Sequence, residues 1–189
     1  MRIVGGRLRG RPLAAPADDT TRPTSDRVRE AIFNILAHGI ADFSIEGSRV
    51  LDLFAGTGAL GLEALSRGAA YCLFVEENAG ARAVIRRNVE AFALTGVTKI
   101  YRRDATELGA AAGRDLFHLA FLDPPYGNGL AERALTSATA GGWLAPGAIV
   151  VIEERKDARI ALPPHFVAID QRAWGDTQVA FARYTGPPS

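Results

Sequence analysis

Residues 123–126 combine a carboxylate, two prolines and an aromatic ring, in the order Asp123-Pro124-Pro125-Tyr126. They follow the apolar residues 119–122, which predict a buried strand. In an open α/β sheet, ligands bind beyond the carboxyl ends of the strands, so these residues indicate a binding or catalytic site. Pro124 holds Asp123 extended, and neither proline has an N–H that could continue a strand, which leaves their carbonyls to a ligand. The alternative is a Pro-Pro turn that carries an exposed aspartate.

A glycine-rich turn follows the first predicted strand, residues 49–54. Gly56, Gly58 and Gly61 fit the pattern G-x-G-x-x-G between a strand and a helix, where glycines let the backbone approach a ligand closely. Glu76 ends the next predicted strand, 20 residues after Gly56. A carboxylate at that place can accept hydrogen bonds from both ribose hydroxyls of a nucleoside. The turn, its context and Glu76 together predict a nucleoside-binding site.

Three carboxylates, Asp52, Glu76 and Asp104, stand at the ends of three successive predicted strands. An acidic edge repels the pyrophosphate of a dinucleotide and attracts a cation, so it favours S-adenosylmethionine over NAD or ATP. Asp52 suits the ammonium group of the methionine moiety, and Asp104 can accept a hydrogen bond from the adenine amino group. Asp104 can also cap a short helix that begins at Ala105.

Strands and helices alternate along the chain after a first helix that starts near Ser25, which Thr24 or Ser25 can cap. This alternation predicts an α/β fold with a doubly wound, mostly parallel sheet and helices on both faces. No helix signal separates the last two strands, which are expected to form an antiparallel hairpin across residues 174–176. The predicted strands cover residues 49–54, 71–76, 99–101, 117–122, 148–152, 166–169 and 178–182. A predicted helix capped by Asn78 follows the second strand, and a predicted helix that ends near Trp143 precedes the fifth.

Composition limits the class of protein. The 189 residues are 48% apolar and 23% charged, which is typical of one globular domain. Cys72 is the one cysteine, so no internal disulfide is possible, and three scattered histidines give no metal-ligand spacing. We therefore expect no metal. The sequence shows neither a signal peptide nor a run of about 18 apolar residues, so we expect a cytoplasmic protein outside the membrane.

Basic residues are concentrated at the start of the chain, although the net charge is only +1. Residues 2–11 contain four arginines and no acid, within a segment over residues 1–17 that is predicted to form a small hairpin. Such a basic arm suits a phosphate backbone. The alternative is a solvated terminus. The four arginines are Arg2, Arg7, Arg9 and Arg11.

Four stretches carry a family resemblance: residues 2–11, residues 22–34 with the sequence RPTSDRVREAIFN, residues 52–65 and residues 123–126. The second stretch is the most specific, because glycine turns and Asp-Pro-Pro-Tyr occur in many methyltransferases. Because the four stretches follow one another in the family's order, the chain resembles the RsmD family of bacterial 16S rRNA guanine-N2 methyltransferases. These are class I S-adenosylmethionine-dependent enzymes. The resemblance implies a seven-stranded sheet whose last hairpin strand is antiparallel.

The resemblance also implies a function: methyl transfer from S-adenosylmethionine to the exocyclic N2 of a guanine in 16S rRNA, within a small-subunit (30S) particle. We expect a monomer with a basic arm over residues 1–24, a methyltransferase domain over residues 25–189, and residues 22–24 near the cofactor as a lid. The implied site residues are Asp52, Phe54, Gly56, Gly58, Glu76, Asp104 and Ala105 for the cofactor, Arg7, Arg9, Arg11, Arg22 and Arg27 for RNA, and Asp123, Pro124, Pro125 and Tyr126 for catalysis.

Guanine N2 is a weak nucleophile because its lone pair is delocalised into the ring. Asp123 and the Pro124 carbonyl are expected to accept its two N–H bonds and hold the amine in line with the methyl group. An ordinary aspartate, with a pKa of about 3.9, is a weak base, so proton loss should follow methyl transfer. Tyr126 would stack on a flipped or unpaired base.

Other functions share parts of this pattern. An adenine-N6 nucleic-acid methyltransferase can carry the same residues 123–126, although this chain leaves no room for a separate target-recognition domain. A glutamine-N5 protein methyltransferase more usually has Asn in place of Asp123, and a cytosine-C5 enzyme needs a nucleophilic cysteine, which Cys72 in a predicted strand does not supply. An NAD oxidoreductase shares the glycine turn but does not explain Asp52. A non-catalytic RNA-binding module needs none of the carboxylates.

Overall fold

The computed structural model describes residues 1–15, 25–113 and 115–187. The helices in this part of the chain are α1 (Asp26–His38), α2 (Ala59–Ser66), α3 (Ala79–Ala91) and α4 (Leu130–Ala140), and the strands are β1 (Arg49–Leu53), β2 (Tyr71–Val75), β3 (Thr98–Tyr101), β4 (Phe117–Leu122), β5 (Leu144–Arg155), β6 (Phe166–Trp174) and β7 (Thr177–Tyr184). Over these residues, no helix is both long and apolar enough to cross a membrane.

The strands form one seven-stranded sheet with the order β3-β2-β1-β4-β5-β7-β6. β1 to β5 pair in parallel, whereas β7 runs antiparallel to both β5 and β6. β1 lies between β2 and β4, so the direction of winding reverses there, which is where doubly wound folds bind ligands. The predicted fold class and the antiparallel final strand are confirmed.

Apolar side chains pack on both faces of the sheet. The N-terminal segment and the apolar sides of α1, α2 and α3 form a first core, in which the rings of Phe33 and Phe121 are 5.5 Å apart between centroids. α4 and the segment around Trp143 pack on the opposite face in a second core. Val50 of β1 faces the first core and Leu51 faces the second, as the two-residue period of a strand requires.

Two helices begin at the side chains that the sequence indicates. Ser25 Oγ accepts a hydrogen bond from the Val28 N–H at the start of α1, at 3.2 Å. Asn78 Oδ1 accepts one from the Ala81 N–H at the start of α3, at 2.9 Å. Each cap satisfies a backbone donor that has no partner within its helix.

The ends of β5, α4 and β6 are among those that differ from the prediction. β5 begins at Leu144 rather than residue 148, with an irregular stretch around Pro146 where its pairing with β4 shifts register. α4 ends at Ala140, before Trp143, since two glycines follow it. β6 continues to Trp174 because it is an edge strand whose polar residues face solvent, which removes the apolar signal.

The N-terminal segment forms the predicted hairpin. Arg2 and Pro12 make an antiparallel bridge, Ile3 donates its N–H to the Arg11 carbonyl, and Gly10 donates to the Ile3 carbonyl. Ile3 is completely buried. The hairpin is therefore part of the first core, and the alternative of a merely solvated terminus is wrong.

A buried ion network anchors the hairpin to α1 and α2. The Glu63 carboxylate accepts hydrogen bonds from the N–H groups of Val4 and Gly5, at 2.9 and 2.8 Å. Arg67 Nε donates to the same carboxylate at 2.8 Å, and Arg29 Nε lies 3.5 Å from it. Arg29 and Glu63 are both completely buried. The charge of Arg29, which lies in the specific 22–34 stretch, is therefore compensated inside the protein.

Candidate active site

The carboxyl ends of β1, β2, β3 and β4 lie side by side along one edge of the sheet. The glycine turn follows β1, and Glu76, Asp104 and Asp123 follow the other three strands. Because parallel strands end at the same edge, the fold gathers residues that are far apart in the sequence. We call this place the carboxyl edge.

The side chain of Glu76 holds the glycine turn. Its Oε2 accepts a hydrogen bond from the Gly56 N–H and its Oε1 accepts one from the Asn78 N–H, both at 2.8 Å. Gly56 and Gly58 have φ angles of 56° and 78°, in the region that favours glycine. Phe54 has a φ of 59° without being glycine, a strained conformation of the kind found at functional turns. Glu76 therefore fixes the shape of the turn.

Asp52 is buried and does not face the open carboxyl edge, so its contact with the ammonium group of the cofactor stays a prediction. It is 2% exposed, and its Oδ2 accepts a hydrogen bond from the Gly61 N–H in α2 at 2.9 Å. Burial raises the pKa of Asp52 to about 8, the Gly61 N–H opposes this rise, and the charge of Glu76 adds to it. Asp52 is two residues after Val50 and so shares its face of β1, towards the first core. In this structure it holds the first turn of α2, which follows the glycine turn.

Asp52→Asn is expected to remove a pH dependence of stability. Between pH 3.8, the ordinary value for this carboxyl, and about 8, the folded protein keeps a proton on Asp52 that the unfolded chain releases. The free energy of unfolding of the unmodified protein therefore falls across this window relative to the variant, by at most about 1.4 kcal/mol per pH unit. Urea denaturation of both proteins between about pH 5 and 9 measures the difference. A difference that stays constant with pH would contradict a buried, protonated carboxyl.

Gly61 allows α2 to approach the sheet closely. A Cβ at this position would lie 2.5 Å from both Cys72 Sγ and Phe74 Cε1, and 3.0 Å from Asp52 Oδ2. This is the third glycine of the pattern, whose usual role is close packing of helix on strand. Cys72 is completely buried beneath it, as predicted, and burial raises the pKa of its thiol. The thiol is therefore part of the core.

Gly61→Ala is expected to lower the free energy of unfolding by up to about 2 kcal/mol, because the added methyl group overpacks this contact at a cost of about 1–3 kcal/mol. The gain in helix propensity, about 1 kcal/mol, offsets only part of that loss. Gly96→Ala is the matched control, since a Cβ there would meet no atom within 4 Å. Urea denaturation measures the free energy of unfolding of both variants. Equal values would show that the close contact of Gly61 with β2 does not require a glycine.

Asp104 caps a 3₁₀ turn that spans Ala105–Glu107. Its Oδ1 accepts hydrogen bonds from the Thr106 N–H at 2.7 Å and from the Thr106 hydroxyl at 2.8 Å. The capping role that the sequence left open is therefore present. Asp104 is half-buried at the carboxyl edge and Ala105 is buried, so their contact with adenine stays a prediction.

The segment after β4 has a buried and an exposed half. Asp123 is half-buried and Pro124 is buried, whereas Pro125 and Tyr126 are exposed, the tyrosine to 38%. The prolines end the strand because they cannot donate backbone hydrogen bonds. This geometry leaves the Tyr126 ring accessible to a ligand that also reaches Asp123.

Three acidic side chains act on the Tyr126 hydroxyl group through their charge. Burial raises the pKa of Tyr126, a hydrogen bond with Thr177 opposes this rise, and the charges of Glu153, Asp123 and Glu154 add to it. The phenol is therefore neutral at physiological pH. It can stack or form hydrogen bonds, but it does not act as a base.

Glu153 and Glu154 are two acids that act on Tyr126 through their charge and that were not predicted from the sequence. They lie near the end of β5, next to the end of β4, and are only 5% and 8% exposed. A signal was present, because both acids directly follow the apolar residues 148–152. Thr177 gave none: it begins the antiparallel strand β7, and only the pairing of β5 with β7 brings it to this edge.

Asn88 was also missed, and it links the hairpin segment to the glycine turn. Its Oδ1 accepts a hydrogen bond from the Ala14 N–H at 2.8 Å. Its Nδ2 donates to the carbonyls of Ala14 and Thr57, both at 3.3 Å. Asn88 is 2% exposed, so a buried amide connects two segments that the sequence analysis assigned to different ligands.

The arginines predicted to bind RNA have different surroundings. Arg7, Arg9 and Arg27 are exposed. Arg11 is exposed too, but its Nη2 donates to the Ala91 carbonyl at the end of α3, at 2.9 Å, so it also holds the hairpin on α3. Their binding of RNA stays a prediction. Arg22 and the predicted lid at residues 22–24 lie outside the described residues.

Within residues 1–15, 25–113 and 115–187, no group of three or more His, Cys, Asp or Glu residues is arranged to hold a metal ion. His118, which interrupts the apolar pattern of β4, is exposed, and its Nδ1 accepts a hydrogen bond from the Arg49 N–H at 3.1 Å. This histidine therefore has a structural partner.

Comparison with known proteins relates this geometry to a family. The family described as "Conserved hypothetical protein 95" matches residues 1–183. The putative rRNA methyltransferase YlbH of Bacillus subtilis (strain 168) is 38% identical over 191 residues, covering 98% of this chain and all of that protein. Ribosomal RNA small subunit methyltransferase D of Escherichia coli (strain K12) is 37% identical over 187 residues, covering 97% of this chain and 89% of that protein.

A solved structure shows the same architecture. The putative methyltransferase yhhF from Escherichia coli has a TM-score of 0.84 and 30% sequence identity, with 99% of both chains covered. The likeness thus extends from the hairpin to the last strand, and the predicted family is confirmed. The chain belongs to the Conserved hypothetical protein 95 family, which is the family of the ribosomal RNA small subunit methyltransferase D enzymes.

Proposed function

We propose that this chain transfers a methyl group from S-adenosylmethionine to the exocyclic N2 of a guanine in 16S rRNA. The observation that carries the proposal is the carboxyl edge, where Asp123 and an accessible Tyr126 lie at the strand end next to the glycine turn. A relative that is 37% identical is named ribosomal RNA small subunit methyltransferase D, which supports an rRNA substrate. The choice of guanine N2 rests on the resemblance to the RsmD family.

The chemistry of the carboxyl edge fits S-adenosylmethionine, whose positively charged sulfonium supplies the methyl group. The edge is rich in carboxylates, which attract a cation and repel the pyrophosphate of NAD. Gly56 and Gly58 carry no side chain to block close approach of a ligand to the turn. We assign Glu76 to the ribose hydroxyls, and Asp104 with Ala105 to the adenine ring. Asp52 supports this arrangement by holding the first turn of α2 through Gly61.

Asp123 and the Pro124 carbonyl orient the guanine amine. Both are hydrogen-bond acceptors, so they take the two N–H bonds and direct the nitrogen lone pair towards the methyl group. The neutral ring of Tyr126 stacks on the base, which must be flipped out or unpaired to reach it. The amine loses its proton after the N–C bond forms, because only then is the nitrogen acidic.

The exposed arginines of the hairpin and the start of α1 bind the RNA backbone in this proposal. Arg7, Arg9 and Arg27 can contact phosphates without breaking a contact that holds the fold. The net charge of only +1 is low for a protein that binds naked RNA, which supports a 30S particle as the substrate. The enzyme acts as a monomer and without a metal.

Isothermal titration calorimetry followed by methylation tests the proposal. The protein is titrated with S-adenosylmethionine and, separately, with NAD. It is then incubated with labelled cofactor and with 30S particles that lack the modification. We expect binding of S-adenosylmethionine, no binding of NAD, and label in the 16S rRNA. Binding of NAD instead, or unlabelled rRNA, would overturn the proposed function.

A further inference from the structure

A row of cations and aromatic rings lies on the sheet face opposite the N-terminal hairpin. The Arg49 guanidinium carbon is 4.2 Å from the ring centre of Tyr71, and Lys99 Nζ is 4.8 Å from that of Tyr101. The Arg103 guanidinium carbon is 5.8 Å from the same Tyr101 ring. Both tyrosines pack against the second core, on the face that carries α4. We call these five residues the β3 surface.

The cations of the β3 surface keep their charge while their positions are held. An aromatic ring attracts a cation through its quadrupole and does not neutralise it. Arg103 also donates a hydrogen bond to the Leu108 carbonyl, a neutral acceptor. Lys99 and Arg103 are exposed. Such cations are pre-organised for an anion, because little side-chain freedom remains to be lost on binding.

The backbone sets the spacing of these charges. Lys99 and Tyr101 are two residues apart in β3 and so share one face, about 6.6 Å apart along the strand. Arg103 follows two residues later and reaches back over the Tyr101 ring. Residues 98–103 contain three basic residues and no acid. The result is a strip of positive charge along an edge strand of the sheet.

Protection of the sheet edge is the alternative explanation for charges on β3. It accounts for Lys99 but not for Arg49, which lies on β1, an interior strand two places from that edge. Arg49 has an acidic neighbour, Asp115, whose Oδ2 is 3.9 Å from Arg49 Nη2. Asp115 is 79% exposed, so this contact is screened by solvent and weak. The side chain of Arg49 remains 28% exposed and adds to the positive strip.

We propose that the β3 surface is a second RNA-binding surface, which contacts the phosphate backbone of the rRNA on the opposite face of the sheet from the hairpin. The inference rests on the proposed function, since rRNA is the polyanion that such a methyltransferase meets. A strip of fixed cations complements a phosphate backbone, whose contacts add one by one to the salt dependence of binding. β3 also leads directly into Asp104 at the carboxyl edge, so RNA bound here approaches the active site.

Salt-dependent binding of protein-free 16S rRNA tests this surface with Lys99→Ala and with the Lys99→Ala, Arg103→Ala double variant. We expect the double variant to bind about tenfold more weakly at low salt and to have a log–log salt slope shallower by about 1.4 to 1.8. The affinity for S-adenosylmethionine and the kcat at saturating 30S particles should not change. Arg172→Ala is the control, because this exposed cation lies on β6 at the opposite edge of the sheet. It should stay within about twofold of the unmodified protein.

The outcomes separate the surface from the proposed function. Unchanged RNA affinity and salt slope in both variants would overturn the β3 surface. The same result with slower methylation of 30S particles would assign the contact to a ribosomal protein, which also overturns it. If the double variant also binds S-adenosylmethionine more weakly, the test rests on the Lys99→Ala variant alone. We then expect half of the change in the salt slope of RNA binding. Absence of methyl transfer by the unmodified protein would refute the proposed function, whereas the slopes still report on the surface.

Discussion

Asp123→Ala is expected to slow methyl transfer by about 10²–10³-fold while leaving the affinity for S-adenosylmethionine nearly unchanged. Without the carboxylate, one of the two acceptors that orient the guanine amine is missing, and the nitrogen lone pair is no longer directed at the methyl group. Loss of a positioned polar group in an active site typically reduces kcat by about 10²–10³-fold. Single-turnover methylation of 30S particles measures the rate, and calorimetry measures the cofactor affinity.

Asp123→Asn is the matched control for this prediction. The amide oxygen can still accept one hydrogen bond from the amine, so activity should fall less than in the alanine variant. Neither variant alters Tyr126 or the residues of the glycine turn. A loss of S-adenosylmethionine affinity as large as the loss of rate would contradict the catalytic assignment, and it would make Asp123 part of the cofactor site.

Glu63→Ala is expected to destabilise the protein by about 3–5 kcal/mol, because Arg29 and Arg67 lose a shared buried carboxylate and Asp26, 2.7 Å from Arg29 Nη2, compensates Arg29 alone. The N–H groups of Val4 and Gly5 lose their acceptor at the same time, so the hairpin loses its anchor. Thermal unfolding should show a shift of about 2–4 °C for each kcal/mol lost. The substitution lies outside the carboxyl edge, so we expect it to lower the thermal stability more than the rate of methylation by the folded protein.

Glu90→Ala provides the comparison for Glu63→Ala. Glu90 is exposed on α3, and its removal should change the stability by no more than about 0.5 kcal/mol. Glu63→Gln retains an oxygen acceptor for the hairpin but not the negative charge, so its loss should lie between the two. A Glu63→Ala protein that unfolds at the same temperature as Glu90→Ala would show that the buried network does not anchor the hairpin.

The sequence predicted the features that depend on local pattern. The apolar residues 119–122, the spacing of Gly56 and Gly58, and the acid at the end of β2 each follow from chain geometry over a few residues. The parallel sheet then brings them to one edge without further information. For this reason the fold class and the gathering of Glu76, Asp104 and Asp123 were predictable.

Features that depend on which way a side chain points, or on partners far along the chain, were not predictable. Asp52 stands near the end of β1, but it faces α2 because the two-residue period of the strand puts it on the side of the first core. Arg29 was assigned only to a family stretch, and its partner Glu63 lies 34 residues later in another helix. Thr177 reaches Tyr126 only through the antiparallel pairing of β7 with β5.

The contacts of the hairpin also depend on partners far along the chain, so they were not predictable either. The sequence predicted a basic arm, but it did not show that Ile3 is buried or that Arg11 is also used to hold the hairpin on α3. Asn88 joins this segment to the glycine turn through the carbonyls of Ala14 and Thr57. The surface that we assign to RNA is therefore built on the same core as the cofactor turn.

Identification of the modified nucleoside tests the central claim most directly. 30S particles that lack the modification are incubated with the protein and S-adenosylmethionine, and their 16S rRNA is digested to nucleosides for mass spectrometry, with Asp123→Ala as the control. We predict N2-methylguanosine at a single position with the unmodified protein, and its formation at least about 100-fold more slowly with the variant. N6-methyladenosine, or a methylated product that the Asp123→Ala protein makes equally well, would contradict the account.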